Sequence, residues 1–410
     1  MIQCFQASMK ENFVKLIKQL MPNVDYYSFR FVSKYNNNIA VTRSVLEPIV
    51  ISEDEGLMIT IFNNGGFGYG ATCDLTQEGI SEAISKAFEW ADFSKGKTTF
   101  YPDSSRFLQH KGDYYTKEQT SWNQIANKDK VDFLQSINDK LKSSPSISNW
   151  ASSLRYNTME SFFVDSCETK IRQKISYILP QILVAAEHKK EVQTRTYGGH
   201  AHARQSGYDL LDDLNIIEKA SSLSEEAIEL SKSNNCPNFL SKALIAPDQM
   251  ILQIHESIGH PLELDRILGD ERNYAGSSFV TEDMFGKYMY GSDCLNVTFD
   301  PTMPTELATY NYDDEGVIAK REFLIKNGKL IKPIGGILSS QRTNLEYVAC
   351  SRASSWNRPP IDRMGNINLV PGNSSFEDML LSIENGIYLE TNNSWSIDDY
   401  RNKFQFGMEY

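Results

Sequence analysis

The residues best suited to chemistry in this chain are His255, Glu256 and His260, which stand within Leu252 to Asp265 as LQIHESIGHPLELD. Two imidazoles are good ligands for zinc, and a carboxylate beside the first can take a proton from a water activated there. The spacing raises a difficulty. In the common HExxH motif the histidines are four apart, roughly 40° from each other on one helix face. Here they are five apart, and a regular helix would hold them about 140° apart. Both reach one metal only if the helix is locally widened or ends before His260. Gly259 weakens the last turn and Pro261 disfavours helical geometry at His260, so the second histidine is expected just past the helix end, swinging back. Two histidines around a glutamate also occur as surface or core residues. The chemical reading is favoured by the apolar lead-in of Leu244, Ile245, Ile251, Leu252 and Ile254, and by the scarcity of histidine, six in the whole chain.

Other candidates are weaker. His200 and His202, in GGHAHARQSG, could stand on one side of an extended strand as a metal pair would, but exposed loop histidines are the preferred reading. Asp313, Asp314 and Glu315 could bind a cation or a substrate amine, or form a solvated turn before Gly316. Arg358 and Arg363, stiffened by Pro359 and Pro360, could hold a peptide carboxylate or carbonyl, and Arg363 could equally be a structural ion-pair residue. The glycines of NNGGFGYG, Asn63 to Gly70, lack the Gly-Lys-Ser/Thr of a phosphate loop, so they read as a place where backbone approaches closely.

The elements that must position these groups follow from periodicity. IVISEDEGLMITIF, up to Phe62, reads as two strands joined by an acidic turn at Glu53 to Gly56. Thr76 caps a helix with the apolar face Ile80, Ala83, Ile84, Ala87, Phe88 and Ala91. A second helix is expected around Val131 to Leu141, paired strands over Leu154 to Val164 and Ile171 to Val184, and helical spacing over Leu210 to Leu230. The polar run SKSNNCP, Ser231 to Pro237, suits a boundary between an N-terminal α+β domain, 1–225, and a C-terminal domain, 235–410. In the latter a short helix carries the histidines, an irregular Gly- and Asp-rich region follows, and Asn327-Gly328 marks a tight hairpin. The fold class expected is α+β, with antiparallel strands prominent in the C-terminal part.

With 410 residues, 40% of them hydrophobic, the chain can build a core for each domain. A net charge of -12 excludes a protein whose affinity comes from neutralising a phosphate backbone, so no nucleic-acid partner is expected. The apolar stretch from Ile175 to Ala186 is too short for a bilayer, so no membrane association is expected. Six cysteines without a CxxC pair indicate a reducing compartment, and the charged N-terminus fits an amphipathic helix rather than a signal peptide. A cytoplasmic protein is the expectation.

The segment HESIGHPLELDRILGDERNYAGSSFV resembles the motif region of the TldD/PmbA metallopeptidases, whose signature is His-Glu-x-x-x-His. GFGYGATCDLTQEGISEAISKAFEWAD is similar to that family's N-terminal strand and helix, TYNYDDEGV to its acidic loop, RPPIDRMGNINLVPG to its Arg-Pro-Pro block and ENGIYLETNNSWSIDDYRNKFQFG to its late segment. The resemblance covers nearly the whole chain. It implies zinc ligands at His255 and His260, a catalytic base at Glu256, and peptide substrates that are short or unfolded. It also implies dimers, of identical or paralogous chains, that enclose the metal. One subunit type of the family lacks the motif and serves assembly alone; all three motif residues are present here, which favours the catalytic type.

The family's third ligand is a cysteine beyond the strand matched here by Lys403 to Tyr410, and no cysteine follows Cys350. Three readings stay open. A further C-terminal segment belongs to the protein, as FQFGMEY suggests by reading as a strand without its partner. Alternatively Cys294, Cys350, Glu263 or Asp265 substitutes. Or the metal is held weakly or not at all, since two protein ligands are fewer than the usual three plus water.

Overall fold

The computed structural model describes residues 7–235 and 238–408. Cys4 and Cys236 lie outside the described residues. The chain opens with α1 (Ala7–Leu20), followed by β1 (Tyr26–Thr42), β2 (Val45–Leu46), β3 (Val50–Asn63), β4 (Gly66–Thr72) and α2 (Gln77–Ser94). Next come β5 (Lys111–Tyr115), α3 (Asn127–Leu141), β6 (Ile147–Asp165), β7 (Lys170–His188), β8 (Glu191–Gly198), α4 (Leu210–Asp213) and α5 (Ile216–Leu230). The strands form one sheet in the order β4-β3-β1-β6-β7-β5, with β2 on β1 and β8 on β7. All pairings in it are antiparallel except β5 with β7.

Strand alternation separates two faces of this sheet. Odd positions of β1 and even positions of β6 point to the helices. Phe29, Phe31, Phe162 and Val164 pack with α1 and α2 at one end, while Ile39, Val41, Leu154 and Tyr156 pack with α3 and α5 at the other. Even positions of β1 point the other way, onto the C-terminal region. Arg30 donates to Asp314 at 3.1 Å, and Lys34 donates to the Ser354 carbonyl at 2.9 Å. Gln173 of β7 is buried on that side, where its amide bridges the backbone of Asn311 and Tyr312.

Thr76 caps α2 as expected, accepting from the Gly79 N–H, and Ile80, Ala83, Ile84, Ala87 and Ala91 are buried. The glycines before α2 serve close approach. A Cβ on Gly66, Gly68 or Gly70 would stand 1.9 to 2.1 Å from carbonyl oxygens of Ala91, Ala87 and Ala83. Only bare backbone lets β4 lie that near the helix. Gly68→Ala is therefore expected to lower stability by about 1–3 kcal/mol or more, the usual cost of overpacking, measured by urea unfolding. An unchanged midpoint would show that α2 can move away freely.

The expected acidic turn at Glu53 to Gly56 does not exist. β3 runs unbroken from Val50 to Asn63, paired with β1 through the whole segment. The carboxylates of this part face solvent, so the pairing leaves none of them buried. Gly56 answers a different need, because a Cβ there would fall 2.3 Å from the Trp356 ring, whose Nε1 donates to Asp54.

The C-terminal region begins with β9 (Lys242–Ile245) and α6 (Pro247–Ile254), then α7 (Leu264–Ile267), α8 (Arg272–Ala275) and β10 (Val297–Phe299). It continues with β11 (Glu322–Lys326), β12 (Lys329–Leu330), α9 (Ile337–Ser340), β13 (Ser351–Arg352), β14 (Ile361–Asp362) and β15 (Ile367–Leu369). Last are α10 (Phe376–Leu381), β16 (Gly386–Leu389), β17 (Asn392–Ile397) and β18 (Phe404–Met408). An antiparallel sheet β12-β11-β10-β15 closes its own core around Leu262, Phe299, Leu324 and Ile334. Asn327 and Gly328 have φ of 48° and 74°, the left-handed pair a two-residue hairpin requires. The final strand is not lacking a partner, since β18 pairs antiparallel with β17. The architecture is α+β. Among the described residues no helix is long and apolar enough to cross a membrane.

Candidate metal centre

Parallel pairing of β9 with β16 sets the entry to α6, which starts with Pro247 in its first turn, where a missing N–H costs nothing. At His255 the helix widens. Residues His255–Gly259 form one turn of π-helix, and the His260 N–H donates to the His255 carbonyl five residues back. A 3₁₀ turn, His260–Leu262, follows. His260 keeps helical angles, φ -60° and ψ -39°, so it is not the post-helical residue expected from Pro261. Proline acts by another route. It has no N–H for the Ser257 carbonyl four residues earlier, and the Tyr290 hydroxyl takes that place at 2.5 Å. Gly259 leaves room for Met364, whose sulfur would lie 2.6 Å from an added Cβ.

The widened turn brings the two imidazoles together. Their ring centroids are 4.6 Å apart, with planes at 85°. One ligand atom from each of His255, Glu256 and His260 lies within 4.8 Å of the others. Glu256 is buried, its Oε1 3.9 Å from His255 Nε2, and its Oε2 has no hydrogen-bond partner among the described residues. A buried, unserved carboxylate oxygen beside two imidazoles is an arrangement that a cation and a water would complete. Burial, and then the neighbouring His260, push the His255 pKa down to about 4, so its ring is neutral with a lone pair available near pH 7. The donor set thus fits a zinc ion.

His260 is oriented from behind. Its Nδ1 lies 2.9 Å from Glu263 Oε2, and a carboxylate can only accept, so Nδ1 is the donor in that bond and Nε2 is the nitrogen that would face a metal. Glu263 is fully buried and also accepts from Arg266 Nε and from the Met364 N–H at 3.1 Å. Burial raises the Glu263 pKa, but the hydrogen bond from His260 and the charges of His260, Arg266 and Arg363 outweigh it, leaving about 2. Sequence reasoning considered Glu263 as a substitute ligand and missed this orienting role. The signal was its place three residues after His260, on the same side of a helical turn.

The other candidates do not join the centre. Asp265 is buried, neither oxygen has a hydrogen-bond partner among the described residues, and burial followed by the charge of Asp362 raises its pKa. Cys350 lies in the C-terminal core with Sγ 3.9 Å from Asp362, and Cys294 is exposed beside Ser292. Among the described residues the only group of three or more such side chains is His255, Glu256 and His260. His202 instead bonds the Gly198 carbonyl and packs on Tyr197. The acidic run is not a solvated turn. Asp313 is buried and accepts from the N–H groups of Glu315, Val317 and Ser351, tying the loop to β13. Arg358 is exposed, while its carbonyl accepts from Arg30. Arg363 stands 3.9 Å from Glu263 Oε1.

Comparison with known proteins places these features in a family. Profiles of PmbA/TldA metallopeptidase domain 1, central domain and C-terminal domain match residues 27–91, 121–234 and 242–410. The chain is 25% identical over 399 residues to Metalloprotease MJ0996 of Methanocaldococcus jannaschii, covering 95% of this chain and 83% of the relative. It is 24% identical over 343 residues to the Zinc metalloprotease TldD homolog of Saccharolobus solfataricus, covering 82% of this chain and 70% of the relative. The fold is shared with TldE from Thermococcus kodakarensis at a TM-score of 0.70 and 15% identity, over 95% of this chain and 84% of that one. A Bacteroides thetaiotaomicron protein described as a modulator of DNA gyrase superposes at 0.78 with 13% identity, over 98% and 86% of the two chains. With successive matches along 27–91, 121–234 and 242–410, the chain belongs to the PmbA/TldD family of metallopeptidases.

Proposed function

We propose that the protein is a zinc-dependent peptidase in which His255 and His260 hold the metal and Glu256 is the general base. The observation that carries this reading is the π-turn that converges two imidazoles on a buried carboxylate with an unserved oxygen. When bound, zinc lowers the pKa of water and polarises a carbonyl. Glu256 Oε2 takes the proton of the attacking water and passes it to the leaving amine nitrogen. Glu263 and Arg266 hold the His260 ring so that it presents Nε2. The substrates are short or unfolded peptides, in keeping with relatives named metalloproteases.

Chelator treatment is expected to abolish peptide cleavage, and added zinc to restore it. Zinc should also raise the melting temperature in a concentration-dependent way, because it binds the folded state. Native protein that cleaves peptides equally well without metal would sink the proposal. The alternative is a non-catalytic assembly subunit. It draws on there being two imidazoles and one carboxylate in the described centre, and it predicts a folded protein that assembles, holds no metal and cleaves nothing. We place the protein in a reducing cytoplasm, a reading supported by Cys73, Cys167, Cys294 and Cys350 all being free. We expect it to work as a dimer of identical or paralogous chains.

A further inference from the structure

Between the non-helical face of the large sheet and the C-terminal region lies an open cavity of about 680 Å³. Lys34, Gln173 and Tyr177 contribute from the sheet side; Tyr312, Arg352 and Arg363 contribute from the other. Its charges are not balanced. Asp313 is turned away into its loop and β13, where its oxygens accept from the N–H groups of Glu315, Val317 and Ser351. Asp314 is taken by Arg30 and the Ala353 N–H, and the Lys34 ammonium by the Ser354 carbonyl. Among the described residues Arg363 has only the long 3.9 Å approach to Glu263, which already serves His260, Arg266 and Met364. Among the described residues Arg352 has no carboxylate within ion-pair distance. On a chain of net charge -12, two such guanidiniums in one cavity stand out from the surrounding acidity.

Backbone geometry sets them side by side. β13 and β14 pair Arg352 with Ile361, and the ladder continues as the Arg363 N–H donates to the Cys350 carbonyl. Arg363 is two residues beyond Ile361, so it shares the strand face of Arg352 as a diagonal neighbour, roughly 7–8 Å away. Ile361 lines the same cavity, as that alternation requires. A pair of planar forks at this separation suits one carboxylate, which can accept from both. Arg363 also stands one carboxylate, that of Glu263, from His260. A group held there belongs to a residue near the peptide bond that the histidines would receive.

We propose that Arg352 and Arg363 form a subsite for a substrate carboxylate, the C-terminal group of a peptide or an acidic side chain, within the cavity beside the metal centre. The subsite deepens the peptidase reading, resting on it for the fate of the peptide and not for its binding. The test uses full-length Glu256→Gln protein and four labelled hexapeptides of otherwise identical sequence, followed by fluorescence anisotropy. They carry a free C-terminus without acidic residues, a C-terminal amide without acidic residues, an amide with one internal Glu, and an amide with Gln at that position.

A peptide bearing a carboxylate should bind about ten- to a hundredfold more tightly than its neutral counterpart, the effect of charge-assisted hydrogen bonds. Preference for the free terminus identifies the terminal group, and preference for Glu over Gln identifies the side chain. Arg352→Ala should erase the preference. Arg352→Lys, which keeps the charge and loses the fork, should give an intermediate value and covers the case in which the alanine variant does not fold. Equal binding of all four peptides, or a preference untouched in both Arg352 variants, overturns the subsite. If the preference holds while native protein cleaves none of the peptides, the peptidase reading falls and the subsite stands. If native protein cleaves all four alike and the variant binds all four alike, the reverse is true.

Discussion

Glu256→Gln is expected to lower kcat by about 10²- to 10⁴-fold, the span that general acid–base groups contribute, while zinc content stays near that of the native protein. Glutamine keeps the size of the side chain but cannot take a proton at the position of Oε2. That oxygen is buried and has no hydrogen-bond partner among the described residues, so its replacement breaks no contact seen there. The imidazoles should be left in place, because His260 is set by Glu263 and His255 by the π-turn backbone. Steady-state cleavage of an unstructured peptide, paired with metal analysis of the same sample, reads both quantities. Near-native turnover would show that Glu256 is not the base. Loss of zinc together with activity would instead make Glu256 a ligand.

The second large effect is expected at Glu263. Glu263→Ala removes the acceptor that fixes the His260 ring and leaves Arg266, itself buried, without its carboxylate. Removing one member of a buried pair costs about 3–5 kcal/mol, because the other charge remains uncompensated. Loss of the orienting partner of a ligating histidine typically weakens metal binding by about 10- to 100-fold. Urea unfolding and competition against a zinc-binding dye measure the two separately. Glu263→Gln should keep most of the packing and part of the hydrogen bonding, so it should cost less stability while still weakening zinc binding. Native-like stability and zinc affinity in the alanine variant would show that His260 is held by something else.

Much of the scaffold was legible from side-chain pattern. Thr76 and the apolar spacing from Ile80 to Ala91 marked α2, and paired apolar runs marked β6 and β7, because each signal arises within one element. Asn327-Gly328 marked a hairpin because few residue pairs accept two positive φ angles. The segment from Val50 to Phe62 was misread because Glu53, Asp54, Glu55 and Gly56 look like a turn locally. A strand with a solvated half tolerates the carboxylates, and the glycine is needed against Trp356, about 300 residues away in sequence.

His255, Glu256 and His260 could be picked out by residue type, and the need for a departure from regular helix could be deduced from their five-residue interval. The form of the departure could not. Pro261 removes a donor from the helix, and the sequence does not say which group serves the carbonyl left over. Tyr290, 33 residues away, does so, and the helix widens into a π-turn. The same holds for Asp313, which reads as a surface acid until β13 is packed against it, and for Arg352 and Arg363, which become neighbours only across the β13–β14 ladder. Sequence by itself marked the candidate residues and many of the elements, since these depend on residue identity and on contacts a few positions apart. Tertiary structure alone decided the turn that unites the imidazoles, the carboxylate behind His260 and the cavity beside them, because each depends on which distant group meets a desolvated polar atom.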